Sequence, residues 1–208
     1  MLRQALWGGI ASGMMVGIGG TVYLSCENKV VGAVLFAVAL LVICILGLYL
    51  YTGKIGLFIE NPSKKSAAAL AVGLAGNAVG AVMTGILTAI AKPQIVNVAK
   101  AACDGKLDGG MLKGLIAAVF CGVLMYAAVK TYAKSGTLVG IIFCIPTFIL
   151  CGFEHSVADM YYFAVASFGG FDPTSILFVL VAVVGNTLGG WILPVLIRLG
   201  KENENESK

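Results

Sequence analysis

Long apolar stretches, divided by short polar segments, occupy almost the whole chain of 208 residues. A helix needs about 20 predominantly apolar residues to cross the hydrocarbon core of a bilayer. Only 12% of the residues are charged, whereas a soluble domain carries about 25%. We therefore predict an all-α membrane protein. Its six transmembrane helices are expected at about 5–26, 30–59, 66–91, 110–133, 137–168 and 173–198.

The distribution of basic residues predicts how the chain is oriented in the membrane. With six crossings both termini lie on one side, and that side holds eight lysines and arginines against five on the other. Cytoplasmic loops carry the excess of basic residues, so we expect both termini in the cytoplasm. The five basic residues expected outside, which would concentrate anions there, are Lys29, Lys92, Lys100, Lys106 and Lys113.

The second and fifth predicted helices are too long for one plain crossing, and each contains a polar interruption. The interruptions are "YTGK" at 51–54 and "CGFEHS" at 151–156. Non-helical backbone at membrane depth is tolerated only where it is buried in protein or lines a cavity. Paired interruptions at corresponding positions of two halves indicate a transport site.

Two similar motifs indicate an internal repeat. "GNAVGA" at 76–81 lies in the third predicted helix and "GNTLGG" at 185–190 lies in the sixth. Each motif closes a unit of three helices, so the second unit is upside down relative to the first. We predict an inverted 3+3 repeat in one domain at 1–199, with repeats at about 1–95 and 105–199 and a polar C-terminal tail at 200–208.

Each motif contains an amide, Asn77 or Asn186, which is rare in such an apolar helix. Amides in membrane helices often join neighbouring helices by hydrogen bonds. This structural role is the main expectation for Asn77. For Asn186 a structural role and a place along the transport pathway remain alternatives.

Other kinds of site are poorly supported by the sequence. The six cysteines lack metal-site spacing, there is one histidine, and no HExxH string occurs, so we expect no metal and no cofactor. An intramembrane hydrolase that uses Glu154 and His155 is a remote alternative, because Ser156 is adjacent to the histidine and adjacent residues rarely form a nucleophile–base pair. A water or glycerol channel would require Asn-Pro-Ala boxes, which are absent. A purely structural subunit would not need two interrupted helices.

The string "GFEHSVADM" at 152–160 closely resembles the signature of the formate/nitrite transporter family. "LYT" at 50–52, followed by "GK", resembles the loop in the family's broken second helix, and "GNAVGA" and "GNTLGG" resemble its motifs in helices three and six. The order and spacing of these motifs agree across nearly the whole chain.

This resemblance implies an aquaporin-like inverted repeat of six helices, with helices two and five broken. It also implies a homopentamer in a prokaryotic cytoplasmic membrane, with one pore in each protomer. The expected partners are membrane lipid, protons and small monovalent weak-acid anions of the formate, nitrite or hydrosulfide class. Transport of a larger monocarboxylate such as acetate or lactate is the alternative.

The resemblance also implies which residues line the substrate pathway. His155 corresponds to the family histidine, and Lys106 or Lys113 to the vestibule lysine. The remaining expected pathway residues are Thr52, the constriction residues Leu50, Phe36 and Phe148, and also Asn186 and Glu154.

Three residues depart from the family pattern. Asp159 stands where the family signature has asparagine, Tyr126 replaces an asparagine of helix four, and Lys54 replaces a small or amide residue. We expect Asp159 to cap the second half of the broken fifth helix or to lie at an interface, without a part in transport. Lys54 is expected to pair with Glu154 or Asp159, to extend to the cytoplasmic mouth, or to attract anions.

The expected mechanism follows from the cost of charge in an apolar constriction. The anion is drawn in by a lysine and by helix-end dipoles, and it crosses the constrictions largely as the neutral acid because burying a charge is costly. Either His155 donates the proton, or it only hydrogen-bonds to the substrate while bulk water supplies the proton. Glu154 either orients His155 or has a structural role, in which it faces away and satisfies helix N–H groups or a neighbouring protomer.

Overall fold

The computed structural model describes residues 1–206, and its regular elements are helical throughout that range. A short 3₁₀ turn, Pro93–Ile95, precedes α6. The ten α-helices are α1 Leu2–Ser25, α2 Lys29–Phe36, α3 Val38–Ile45, α4 Tyr51–Phe58, α5 Lys64–Ala91, α6 Val96–Asp108, α7 Gly110–Ser135, α8 Val139–Leu150, α9 Ser156–Ser167 and α10 Pro173–Glu206. The prediction of an all-α protein is confirmed.

Four helices are long and apolar enough to cross a membrane: α1, α5, α7 and α10 as far as Lys201. The predicted crossings at 30–59 and 137–168 fall on shorter helices, α2 to α4 and α8 to α9. The polar residues after the last apolar stretch continue α10 as far as Glu206. The final two residues of the predicted tail lie outside the described part of the chain.

The segment between α5 and α7 was expected to be a polar connection, and most of it is helical. In α6, Ala99 and Cys103 face the protein while many of its polar residues remain exposed. Four-residue spacing places such a pair on one helix face. Packing of this face against α9 carries α6 back over the interior of the protein.

In both inter-helix segments that flank the centre of the protein, the second residue is a glycine in the left-handed conformation. After α3 this residue is Gly47, with φ of 64°, and after α8 it is Gly152, with φ of 66°. Glycine adopts this conformation without the steric cost that a Cβ atom imposes. Leu48 and Phe153 then donate backbone hydrogen bonds of 2.9 Å to the ends of the helices that they follow.

The first interruption lies earlier in the chain than the sequence indicated. Non-helical backbone occupies residues 46–50, and the predicted break "YTGK" forms the first turn of α4. This helix end was not predicted because Gly47 lies among apolar residues, which are also compatible with a continuous helix. The second interruption, at 151–155, falls within the predicted segment.

Asn77 and Asn186 fix the two interruptions to their neighbouring helices. Asn77 Oδ1 accepts a hydrogen bond of 2.8 Å from the backbone N–H of Tyr51, and its Nδ2 donates to the carbonyls of Gly9 and Tyr49. Both amide side chains are fully buried. The hydrogen bonds satisfy backbone groups that the ends of α4 and α9 leave without helical partners.

The equivalent hydrogen bonds of Asn186 hold the segment that precedes α9. Its Oδ1 accepts from the Ser156 N–H at 2.9 Å, and its Nδ2 donates to the carbonyls of Ala118 and Glu154. The two helices that carry these amides pack closely against α1 and α7, respectively, through small residues. This close approach brings the two interruptions toward each other at the centre of the protein.

Candidate functional site

A buried hydrogen bond joins the two halves at the centre. Thr52, in the first turn of α4, lies with its Oγ1 2.8 Å from Nε2 of His155, the N-cap of α9. The histidine Nδ1 accepts from the backbone N–H of Ala158 at 3.2 Å. Since Nδ1 acts as an acceptor, the ring proton of neutral His155 is on Nε2 and is donated to Thr52. The predicted residues Thr52 and His155 therefore meet.

Two aromatic residues predicted as constrictions, Phe148 and Phe36, pack one after the other next to this histidine. Phe148 stacks on the His155 ring, with centroids 5.7 Å apart, and Phe36 meets Phe148 edge-on at 6.3 Å. Together they line a cavity of about 140 Å³, which we call the histidine cavity. Its other lining residues include Tyr23, Lys106, Asp159 and Tyr162.

Leu50 lines a separate cavity of about 160 Å³, the leucine cavity, whose other lining residues include Leu40, Ile43, Lys54 and Val129. Leu50 is itself buried and immediately precedes α4, two residues before Thr52. His155 thus lines one cavity, and Leu50 and Gly53, close to Thr52 in the chain, line the other. The structure brings Leu50, Phe36 and Phe148 to this central region.

Lys106 reaches the histidine cavity from α6, whereas Lys113 is exposed at the start of α7. The ammonium of Lys106 forms an ion pair with Glu154 and lies 3.1 Å from Asp159 Oδ1. Burial works to lower the pKa of Lys106, but the negative charges of Asp159 and Glu154 outweigh it and raise the pKa above its ordinary value. Lys106 therefore stays protonated at neutral pH.

Glu154 and Asp159 both meet Lys106, a contact that was not among the expectations for either residue. The side chain of Glu154 contacts Lys106, so neither His155 nor a helix N–H group is its partner among the described residues. Asp159 lies in the first turn of α9, as expected, but its oxygens accept no hydrogen bond of good geometry from the described residues. Both carboxylates thus belong to an ion-pair cluster with Lys106.

Asn186 belongs to the supports of the site. Its side chain forms hydrogen bonds with three backbone groups of the described residues, and it is absent from the linings of both cavities. Its contact with the backbone of Glu154 and Ser156 positions the residues on either side of His155. The amide therefore supports the site from outside the two cavities, and its side-chain groups bind the backbone.

Lys54 faces the leucine cavity and not the acidic residues. Its ammonium lies 5.9 Å from the centroid of the Tyr49 ring, a distance at which a cation is attracted to an aromatic face. Within the described residues it forms no salt bridge, so the expected pairing with Glu154 or Asp159 is wrong.

Tyr126, the substitution in the predicted fourth helix, is part of a second polar cluster. Its hydroxyl donates to Glu60 at 2.9 Å, and Lys130 pairs with the same carboxylate at 2.5 Å. Burial tends to raise the pKa of Glu60, but the hydrogen bonds from Lys130 and Tyr126 lower it overall. These residues line a larger cavity, of about 760 Å³, that does not include His155.

Tyr162 lines the histidine cavity although it was not predicted to do so from the sequence. Tyr162 follows His155 and Asp159 at helical spacing, which places all three on one face of α9. The ammonium of Lys106 lies 5.7 Å from the Tyr162 ring centroid. The spacing was a usable signal, but aromatic residues in an apolar helix do not by themselves indicate a pathway.

The chain is similar to known proteins in both sequence and fold. Residues 1–200 match the family model described as formate/nitrite transporter. An uncharacterized transporter, YrhG of Bacillus subtilis (strain 168), is 29% identical over 187 residues, which cover 82% of this chain and 70% of the relative.

Two solved structures share the fold. A pentameric formate channel with formate bound superposes with a TM-score of 0.78 at 18% identity, over 98% of this chain and 97% of the channel. An FNT family ion channel gives a TM-score of 0.76 at 23% identity, over 92% and 86% of the two chains. At these identities the likeness establishes a common fold.

The family match settles the general class of the protein. It confirms the predictions of an integral membrane protein and of a transport protein as opposed to an enzyme. The motif resemblance that rested on residues 50–52, 76–81, 152–160 and 185–190 is confirmed by a match that spans all four strings. The chain belongs to the formate/nitrite transporter family.

Proposed function

We propose that the protein is a channel for small monovalent weak-acid anions of the formate, nitrite or hydrosulfide class, which cross the centre largely as neutral acids. The observation that carries this proposal is the buried Thr52–His155 hydrogen bond. It provides polar groups close to the residues that line the two cavities, where α4 and α9 begin. A solved structure of the same fold is a formate channel with formate bound.

The apolar neighbours of this pair favour passage without charge. Moving a bare anion into a dry constriction costs several kcal/mol even after relaxation. Protonating a carboxylate with a reference pKa of about 3.5 costs roughly 5 kcal/mol at neutral pH. Phe36 and Phe148, both almost fully buried, provide such an apolar environment. The neutral route therefore competes well with passage of the ion.

The anion is gathered mainly by helix ends. Helices α4 and α9 both begin at the centre, and the N-terminus of a helix carries a partial positive charge. The charge of Lys106 also attracts anions, but Glu154 and Asp159 counter it within the same cluster. The helix ends keep their attraction at any pH.

The geometry of His155 favours a hydrogen-bonding role over direct proton donation. Its neutral ring has one proton, on Nε2, and donates it to Thr52. Giving up that proton would leave an imidazolate, while protonating Nδ1 would break its bond to Ala158. We therefore infer that bulk water supplies the proton and that Thr52, whose hydroxyl proton remains available, donates a hydrogen bond to the passing solute.

The proposed assembly is a homopentamer in a prokaryotic cytoplasmic membrane, with one pore in each protomer and both termini in the cytoplasm. Each protomer forms a single channel domain at 1–199, built as an aquaporin-like inverted 3+3 repeat at about 1–95 and 105–199. In this arrangement α2–α4 and α8–α9 form broken second and fifth crossings. The matched hydrogen bonds of Asn77 and Asn186 support the repeat.

Flux measurements in proteoliposomes test this function. Formate, nitrite, hydrosulfide, acetate, lactate and chloride are compared across roughly pH 5–8, the range in which a histidine changes charge. We expect flux of the small weak-acid anions to rise toward low pH and chloride flux to be near that of empty liposomes. Absence of flux for every weak acid would refute the proposal, and preference for acetate or lactate would assign the larger substrate.

A His155→Asn variant tests the role of the histidine. If His155 only hydrogen-bonds, the variant has lower flux but keeps the pH dependence of the unmodified protein. A change in the shape of the pH profile would instead identify His155 as the proton donor. Met14→Leu, a change on an exposed side chain of α1, is the control and should leave both properties unchanged.

A further inference from the structure

One ammonium and two carboxyl groups lie together beside the histidine cavity. Lys106 forms an ion pair with Glu154 and lies 3.1 Å from Asp159 Oδ1. The side chain of Asp159 is 1% exposed, and it lines the cavity without a hydrogen bond of good geometry from the described residues. With all three groups ionised, this cluster would contain one negative charge in excess.

The surroundings of Asp159 do not supply a second positive charge within the described residues. His155 is in its neutral form because Nδ1 accepts a hydrogen bond. Thr88 of α5, next to the Tyr161 hydroxyl, and Asn186 of α10, bound to the Ser156 N–H, are polar neighbours of α9 and are uncharged. The remaining titratable neighbours are thiols and phenols, on α6, α7, α1 and α9: Cys103, Cys121, Tyr23 and Tyr162.

Asp159 is the carboxyl group better suited to hold a proton. Two carboxylates that share a buried site do not both ionise readily, because each disfavours the charge of the other. Glu154 has the closer contact with Lys106 and the larger exposed fraction, 9% of its side chain against 1% for Asp159. The ion pair therefore belongs mainly to Lys106 and Glu154.

We propose that Asp159 is a proton-binding site that sets the charge of the histidine cavity. This inference deepens the proposed function and rests on it for its consequence in transport. A proton taken from cavity water converts the Asp159 carboxylate to the acid, and the cluster with Lys106 and Glu154 is then neutral. Loss of the proton to water leaves a net negative charge, which repels an entering anion.

This device depends on the departure from the family pattern at residue 159. An asparagine at this position has nearly the same shape but cannot bind or release a proton. With asparagine, Lys106 and Glu154 would form a neutral pair at every pH at which both are ionised. With Asp159, the cavity accepts anions when protons are abundant and rejects them when protons are scarce.

Infrared difference spectroscopy on the full-length protein in lipid tests the proton site without any transport. We expect a C=O stretch of a protonated carboxyl near neutral pH that disappears on raising the pH. Incorporation of aspartate labelled with ¹³C in its side-chain carboxyl should shift this band, which separates Asp159 from Glu154. Asp159→Asn should remove the band, and Asp172→Asn, a matched change at an exposed carboxylate, should retain it.

A second variant tests the charge balance while Asp159 is intact. Glu154→Gln removes the competing carboxylate, so Asp159 should ionise beside Lys106 and the band near neutral pH should be lost. Persistence of an aspartate band in this variant, or absence of the band in the unmodified protein, would overturn the proposal. Either result can be read from purified protein whether or not it transports any solute.

Formate flux tests the consequence for transport. The ratio of Asp159→Asn flux to unmodified flux, measured at equal pH on both sides of the membrane, cancels the protonation of formate itself. We expect a ratio near one at low pH that rises by about tenfold or more at high pH, as one uncompensated charge at short range in a poorly screened cavity predicts. The Asp172→Asn ratio should stay near one.

The outcomes separate the two proposals. A flat Asp159→Asn ratio would overturn the effect on anion entry, whatever the spectra show. A proton band that behaves as described in a protein without flux of any weak acid would support the proton site and refute the proposed substrate class.

Discussion

Asn77 and Asn186 make the same set of hydrogen bonds in the two halves of the chain. Each amide donates to a carbonyl 68 positions earlier, accepts from the N–H at the start of a central helix, and donates to the residue two positions before that N–H. An amide offers both a donor and an acceptor. One side chain can therefore bind the backbone at the start of a central helix and also the backbone of a neighbouring long helix. The motifs "GNAVGA" and "GNTLGG" contain the two amides that form these hydrogen bonds.

Replacing either amide with alanine should destabilise the protein strongly. Asn186→Ala leaves the Ser156 N–H and the Glu154 carbonyl without this partner in a buried site, at about 1–3 kcal/mol for each unsatisfied group. We expect a clear fall in the unfolding temperature of the detergent-solubilised protein. Asn97→Ala, on the exposed side of α6, is the control. Equal effects of the two changes would contradict the structural role.

The Thr52 hydroxyl should be required for transport. Thr52→Val has a similar shape but cannot accept from His155 Nε2 or donate to a solute. We expect at least a tenfold loss of formate flux, equivalent to about 1.4 kcal/mol, whereas Thr52→Ser should retain most of the flux. Matching elution profiles on gel filtration establish that both variants are assembled. Full flux in Thr52→Val would remove the hydroxyl from the mechanism.

The contact between α7 and α10 should depend on Gly189. A Cβ atom at this position would lie 1.9 Å from the Val119 carbonyl oxygen, so Gly189→Ala must push the two helices apart. We expect destabilisation of about 1–3 kcal/mol, as is typical of overpacking, measured by thermal unfolding.

Gly105→Ala provides a matched control for this change. Gly105 lies in α6 with open space where the Cβ atom would stand. Alanine is the better helix former by about 1 kcal/mol, so this variant should be as stable as the unmodified protein or more so. A loss of stability equal to that of Gly189→Ala would show that packing is not the cause.

The contacts of Glu60 with Tyr126 and Lys130 should make a small contribution to stability that is lost at low pH. Because the pKa of Glu60 is lowered in the folded protein, its contribution is present above the pKa of the unfolded chain and disappears as the pH falls through the folded value. Glu60→Gln should therefore cost less than about 1 kcal/mol at neutral pH, as is typical of an exposed ion pair, and nothing at low pH.

Unfolding temperatures across the acid range measure this difference. Glu27→Gln, at an exposed carboxylate before α2, is the control for loss of one negative charge. A Glu60→Gln effect that grows toward low pH would have the wrong sign and would exclude the ion pair with Lys130 as its source.

Local sequence was sufficient to predict that the protein is a helical membrane protein and to locate its four long helices. The length and hydropathy of a stretch do not depend on its neighbours, so α1, α5, α7 and α10 could be read directly. The helix end at Gly47 could not, because a glycine among apolar residues is also compatible with a continuing helix. Helix α6 was missed because its polar composition resembles that of a loop.

The sequence by itself determined the class of the protein, the motifs of its family and the residue types available to the site. Only the tertiary structure decided that Lys106, not Lys113, meets Glu154 and Asp159. It also decided that Thr52 meets His155 across 103 positions of the chain. The physical reason is that hydropathy and helical periodicity act over one or two turns, whereas these contacts depend on how whole helices pack. Small residues and buried amides fix that packing, and they lie far along the chain from the side chains that the packing brings together.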